Sequence, residues 1–568
     1  MKQHDWRRFV SLLLCLAILT LAGCGGQTRQ GFVSTATTPT ISETQAETQS
    51  ETNGASSSIC FADVWHDEYD FSEIPYEHYD LASFQPLVDA VRAFASGSGD
   101  RDSFADADNA ICWELYYINT LDTLANLTHS QNATDEAAMQ ENLYTSQLCY
   151  DAMDLYQSAM HDVAVSSHVD VMRDSYADWQ ISSFADYRSD GSSWDVLEQE
   201  TTLVQQYYSL AAQENVDYDA ILDLFVELVQ LRQEIAEAYG YDSYADYAYD
   251  ATYSRNYTPA DSQALWTAVK EKIVPVIERC GDEVYTRTAD VFYSDRIDCS
   301  EETILQALGD TAARISPNLQ EAYQFMVDHR LYDISPSDTK MNTGFTVRLD
   351  YYNEPFIFNA PSGTYYDYTD LFHEFGHFTN AYYTTSDLIF GWPDNDLREL
   401  QAQGMEIMFM PYYEDIFGGA DGDAIRDEMR MNMLYSITDG AMYDEFQQRV
   451  YASENLSPEK IQAIFAEVYH AYGNEEYDGW ENSWMDIAHN FEYPFYYISY
   501  AVSAIPALEL CALLDTDPQQ AVDRYLQVAA MDSELYYFTD ALEEAGLRDA
   551  FQQDSLKAVA EAADGWFQ

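Results

Sequence analysis

The run HEFGH sets two histidines, His373 and His377, four residues apart with Glu374 beside the first. On a helix, residues four apart stand one turn from each other on one face, so both imidazoles can reach a single zinc ion. Glu374 then lies at the edge of that face, placed to take a proton from a water that the metal activates. The device works only if the segment is helical. Phe372, Phe375 and Phe378 supply apolar contacts around the imidazoles, and residues 368–382 contain no proline and only Gly376. A glycine is tolerable in such a helix where a second chain or a ligand approaches closely. The pentapeptide arises by chance in roughly one in fifty chains of this histidine and glutamate content, so further ligands must support it.

Catalytic zinc takes three protein ligands and keeps one position open. A third histidine of the metzincin kind would fall at position 383 after a glycine at 380; the chain has Tyr383 and Asn380, which excludes that pattern. The stretch LRELQAQGMEIMF offers acids instead. Glu399 and Glu406 are seven apart and share a helix face. Glu399 is the natural third ligand, and Glu406 stands two turns along, placed to orient a ligand histidine.

The acid surplus narrows the partners. With 27 basic and 98 acidic residues among 568, the formal charge is -71, which argues against nucleic acid and against anionic membrane surfaces. At 47% hydrophobic residues the chain is nonetheless globular, long enough for several domains or one large helical body. Lys2, Arg7 and Arg8 precede the apolar run 9–21, which is too short to span a membrane and right for the core of a secretory signal. It ends in Leu21-Ala22-Gly23-Cys24, resembling the bacterial lipoprotein box, so residues 1–23 are expected to be removed and Cys24 lipidated. Residues 25–58 are rich in Gly, Thr, Ser, Gln and Glu and read as a flexible tether within the segment 24–58, with order starting near residues 59–65. Contact with the membrane is then expected only through the lipid at Cys24, on the outer face of the cell membrane. Cys60, Cys112, Cys149, Cys280, Cys299 and Cys511 lie in no zinc-ligand spacing. A pair such as Cys280 and Cys299 could form a disulfide outside the cytosol, and buried free thiols are equally compatible.

Beyond residue 58 the apolar periodicity is helical almost throughout: Phe84, Leu87, Val88, Val91 and Phe94, then Leu115, Ile118, Leu121 and Leu124. Thr258-Pro259, Ser316-Pro317 and Ser457-Pro458 place a hydroxyl at a helix cap and proline at the first helical position. Gly240 suits a C-terminal cap. Only residues 343–349 (TGFTVRL) and 355–360 (PFIFNA) read as strands, forming a small hairpin before the zinc motif. That hairpin either holds an extended peptide by backbone pairing or simply packs the core.

Three ordered blocks, DLFHEFGHFTNAYY from Asp370, ELQAQGMEI from Glu399 and HNFEYPFYYISYA from His489, resemble the thimet oligopeptidase and oligoendopeptidase F family of zinc metallopeptidases. A weaker match is LVQLRQEIAEAYGYDSYADYAY from Leu228, and the similarity spans roughly residues 200–560. The resemblance implies one zinc per chain on His373, His377 and Glu399, with Glu406 supporting the site. It also implies a mainly α fold of two helical lobes around a deep substrate channel, with an N-terminal helical region over 59–195 and a catalytic region over 196–568. The substrate implied is a short oligopeptide, cleaved by a monomeric endopeptidase.

The third block supplies donors for the oxyanion that forms when water attacks a peptide carbonyl. His489, Tyr493, Tyr496, Tyr497 and Tyr500 all qualify by chemistry, and the resemblance favours His489 and Tyr500, with Tyr497 next. With 46 tyrosines in the chain, order within the block is what separates these from packing residues. Glu374 is the expected general base on the water that zinc activates, though manganese or cobalt could occupy the same ligands. Two alternatives remain at this level: a peptide-capturing lipoprotein with a decayed zinc site, and a peptidase of another glutamate-type group such as the thermolysin group. In that group an aspartate follows the third ligand by four residues, where this chain has Gln403.

Overall fold

The computed structural model describes residues 61–187, 192–211, 213, 215–292, 294 and 296–567. The signal segment, Cys24, the tether and Cys60 lie outside them. The architecture is mainly α, as expected, with helical lobes built on two large apolar cores and one small sheet. The smaller core packs two long helices, α1 (Arg101–Gln131) and α2 (Glu136–Ala164), around Phe104, Ile118, Leu148 and Tyr156. The apolar positions noted near 84–94 and 115–121 pack in it, Leu87 only partly buried and the others buried, and Leu124, one turn further along α1, packs instead against Leu349 and Tyr352 of the hairpin. The larger core takes in most of the chain from Tyr207 onward.

The expected helix starts occur. Ser316 accepts from the Asn318 N–H and Ser457 from the Lys460 N–H, while Asp261 closes the turn after Thr258 by accepting from the Thr258 N–H at 2.8 Å. Gly240 ends its helix at φ +83, where a side chain would be strained.

Three strands form one sheet in the order β1 (Tyr332–Asp333), β3 (Glu354–Asn359), β2 (Gly344–Leu349). β2 and β3 are the antiparallel hairpin read from sequence, each starting or ending one residue from the expected limits because the register pairs Leu349 with Glu354 and Gly344 with Asn359. β3 is buried on both faces, which fits its central place. β2 is an edge and alternates: Phe345, Val347 and Leu349 enter the core, and Gly344, Thr346 and Arg348 share the other face. The two-residue parallel pairing of β1 has no counterpart in the sequence reading.

Four helices complete the frame of the site: α3 (Tyr366–Tyr383), α4 (Asn395–Phe409), α5 (Gly419–Tyr451) and α6 (Ile498–Leu514). α3 and α4 approach at Gly376. A Cβ there would stand 2.6 Å from Ala402 Cα and 2.8 Å from the Gln401 carbonyl, so the close approach is by backbone of the same chain. Among the described cysteines none forms a disulfide, and Cys280 and Cys299 are free thiols. No helix among the described residues is long and apolar enough to cross a membrane.

Candidate metal centre and cleft

α3 carries His373 and His377 one turn apart, their ring centroids 5.0 Å from each other. α4 brings Glu399 opposite, and ligand atoms from His373, His377 and Glu399 all lie within 4.8 Å of one another. Glu399 Oε2 stands 3.6 Å from His373 Nε2, and both atoms are buried without a hydrogen-bond partner. Buried polar atoms left so cost free energy unless a further group satisfies them. Two imidazoles and a carboxylate converging with orphaned atoms fit a divalent cation of the zinc type. Charge points the same way. Burial opposes a proton on His373, but Glu406, Glu399 and Glu374 outweigh it and push the imidazole up to about 10, so the pocket demands positive charge. His377 is held well below its ordinary value by burial, His373 and Arg398, which leaves it neutral and ready to ligate.

Glu406 accepts from His373 Nδ1 at 2.7 Å, fixing that ring so that Nε2 faces Glu399. Tyr496 donates its hydroxyl to Glu399 Oε1 at 2.8 Å, leaving Oε2 to face the histidines. Sequence reading placed Tyr496 only in a pool of donors. No local pattern could have paired residues 97 apart.

Glu374 is buried, and the Thr346 hydroxyl donates to its Oε2 at 2.7 Å. Burial pushes its carboxyl up to about 7, with His373 and Thr346 pulling the other way. Thr346 is a contact that sequence reading missed, although the period of β2 already put it on the face opposite Phe345 and Val347. Burial, then Asp367 and Glu406, push the carboxyl of Asp370, one turn before His373, well above the usual carboxylate range.

A cavity open to solvent runs along this site. Its walls include Gly344 of β2, Asp370, His373 and Glu374 of α3, Gln403 and Glu406 of α4, and Tyr500 of α6. His489 lies one ring further in, 6.1 Å from Tyr500 between centroids, with both nitrogens buried and unpartnered. Burial lowers it to about 4, so it is a neutral imidazole. Tyr497 packs edge-on to Tyr443 at 5.0 Å and to Tyr500 at 5.3 Å. Gln403, at the position where a thermolysin-type site has an aspartate, instead accepts from the Ser503 hydroxyl at 2.9 Å and so ties α4 to α6.

A helical fold in which two helix-borne histidines and a glutamate converge beside a second buried glutamate on a cavity wall has the features of a metallopeptidase. Residues 321–560 match the model of peptidase family M3, in line with the family resemblance read from the sequence and in favour of it over the thermolysin group. Solved structures share the fold. One described as an oligoendopeptidase F has a TM-score of 0.73 at 22% identity, covering 88% of this chain and 98% of its own. PZ peptidase A, solved with an inhibitor, gives 0.72 at 19% identity over 88% of this chain and 99% of its own. A structure from Bacillus anthracis, also described as an oligoendopeptidase F, gives 0.71 at 20% identity over 88% and 98%. No curated protein matches the sequence.

Proposed function

We propose that the chain is an exported zinc oligopeptidase in which His373, His377 and Glu399 hold the ion and Glu374 is the general base. The observation that carries this reading is the convergence of three ligand groups, two of them with orphaned buried atoms, beside a buried glutamate on the wall of an open cavity. Zinc bound there supplies Lewis acidity, which acidifies water and polarises the scissile carbonyl. Glu374 takes the proton of the attacking water and returns it to the leaving nitrogen. A cation beside it favours the ionised, proton-accepting form, and the Thr346 hydroxyl holds the carboxylate in place. Tyr500, on the cavity wall, donates to the developing oxyanion, and neutral His489 beside it is a second donor or holds the tyrosine's orientation. The edge strand β2, with Gly344 on the cavity wall, offers its backbone to an extended peptide. A cavity of this form and the oligoendopeptidases that share the fold support short unfolded peptides as substrates.

Glu374→Gln tests the mechanism. It is expected to keep its metal, since Glu374 is not a ligand, and to lower kcat by about 10³-fold or more. Full activity in that variant contradicts the assignment. The location outside the membrane rests on the basic start, the short apolar run and the box ending at Cys24. Lipid labelling of the mature protein should vanish in Cys24→Ala, and label that persists there refutes the anchor.

A further inference from the structure

The cavity beside the metal centre has a one-sided wall. Asp367, Asp370 and Glu374 follow one another at helical spacing along α3, Glu406 of α4 joins them, and no lysine or arginine is among the lining residues. Three of these carboxyls are engaged. Asp367 accepts from the N–H groups of Ser362 and Gly363 at 2.7 and 2.9 Å, Glu374 from the Thr346 hydroxyl, and Glu406 from His373 Nδ1. Asp370 is not: among the described residues no hydrogen bond or ion pair reaches it. Burial comes first in pushing its carboxyl up, Asp367, Glu406 and Glu374 add to it, and His373 alone among these neighbours opposes them. A cation bound beside Asp370 supplies the charge that the chain itself does not.

Asn359 adds an independent feature on the sheet side of the cavity. It pairs in register with Gly344, and cross-strand partners share a face. That face is the one from which Thr346 reaches Glu374, so the Asn359 amide looks onto the cavity that it lines. It lies across Gly344, where any Cβ would run into its Oδ1. Asn359 is only 7% exposed, and that Oδ1 is buried with no hydrogen-bond partner. A buried acceptor of this kind gains from a donor that a ligand brings. Met429 and Met433, one turn apart on α5, line the same cavity and offer an aliphatic stem adaptable apolar surface. A carboxyl without a partner, an amide oxygen without a donor and an apolar wall suit an ammonium or guanidinium on a long stem, which has several donors and no acceptor.

We propose that Asp370 and Asn359 form a cation subsite on the cavity wall, on the N-terminal side of the ligand histidines along α3, which selects peptides presenting a lysine or arginine side chain there. This rests on the peptidase reading above and names its substrate class.

The test uses the whole enzyme and quenched peptides, acetylated and amidated so that no terminal charge takes part. Lysine, arginine or norleucine is placed in turn at each position on both sides of the cleaved bond; norleucine keeps the stem of lysine and lacks its ammonium. In the wild type, the cationic residues are expected to raise kcat/KM over norleucine by about tenfold or more at one position. That ratio should fall toward one in Asp370→Asn and decline in Asn359→Ala. Ratios within roughly twofold at every position overturn the proposal. So does an equal gain at every position, which reports the net charge of the chain and not a site. A preference that survives intact in Asp370→Asn overturns it as well. The wild-type panel needs no variant to fold. Binding of the lysine and norleucine peptides to Glu374→Gln, read by fluorescence polarisation, gives the ratio without turnover, so loss of hydrolysis, which would count against the peptidase reading, stays distinct from loss of cation selection.

Discussion

Glutamates around one cavity take different chemical roles because of what each touches. Glu399 has one oxygen occupied by Tyr496 and turns the other to the histidines; Glu406 orients His373; Glu374 keeps a hydroxyl donor and a buried carboxyl poised near neutrality. Glu428 shows the structural counterpart. It is fully buried and accepts from the hydroxyls of Tyr365 and Tyr366, the residues that open α3, and burial pushes its carboxyl up to about 7. A carboxyl whose folded pKa lies above its unfolded one makes its full contribution to stability below the unfolded value, near 4.5, and loses it as pH rises through 7. Over that window the loss reaches up to about 3 kcal/mol. Thermal denaturation of Glu428→Gln should therefore show the variant gaining on the wild type between pH 5 and 8, and equal pH slopes would refute the buried-acid account. That Glu399 and Glu406 both turn toward His373 was legible because seven residues separate them on one helix face. The roles of Tyr496 and Thr346 were not, because each depends on where a distant element comes to rest.

At the scale of elements, the metal centre is the product of α3 and α4 packed at backbone distance. Gly376 permits it: any side chain there must push against Ala402 and the Gln401 carbonyl, neither of which can yield by a rotamer change. Gly376→Ala is expected to destabilise the protein by about 1–3 kcal/mol and, by moving Glu399 away from the histidines, to weaken metal binding as well. Differential scanning calorimetry with metal titration checks both. A variant with unchanged Tm and metal affinity would show that the helices can separate without cost to the site. Sequence signalled the helices and the hairpin well, because proline at first positions, hydroxyl caps and period-two alternation are local signals. It signalled the glycine's tolerance but not the partner, which proved to be α4 of the same chain. The two-residue strand β1 was invisible, since so short a parallel pair is set by the sheet it joins. Cys280 and Cys299 posed a choice that spacing alone left open, and both are free.

At the scale of the molecule, a net charge of -71 coexists with a cleft whose chemistry depends on a few unbalanced groups. Three carboxylates surround His373, and a neutral histidine lies between tyrosines. The helical lobes serve to keep those groups desolvated, where each charge acts at short range and high strength. The proposed metal is what would tie the arrangement together. The most direct measurement is metal content and peptide turnover of the purified enzyme followed through chelation and readdition. The account predicts about one zinc per chain, loss of cleavage in step with loss of metal, and recovery when one equivalent is restored. Enzyme stripped of metal that still cleaves peptides at the original rate would contradict it.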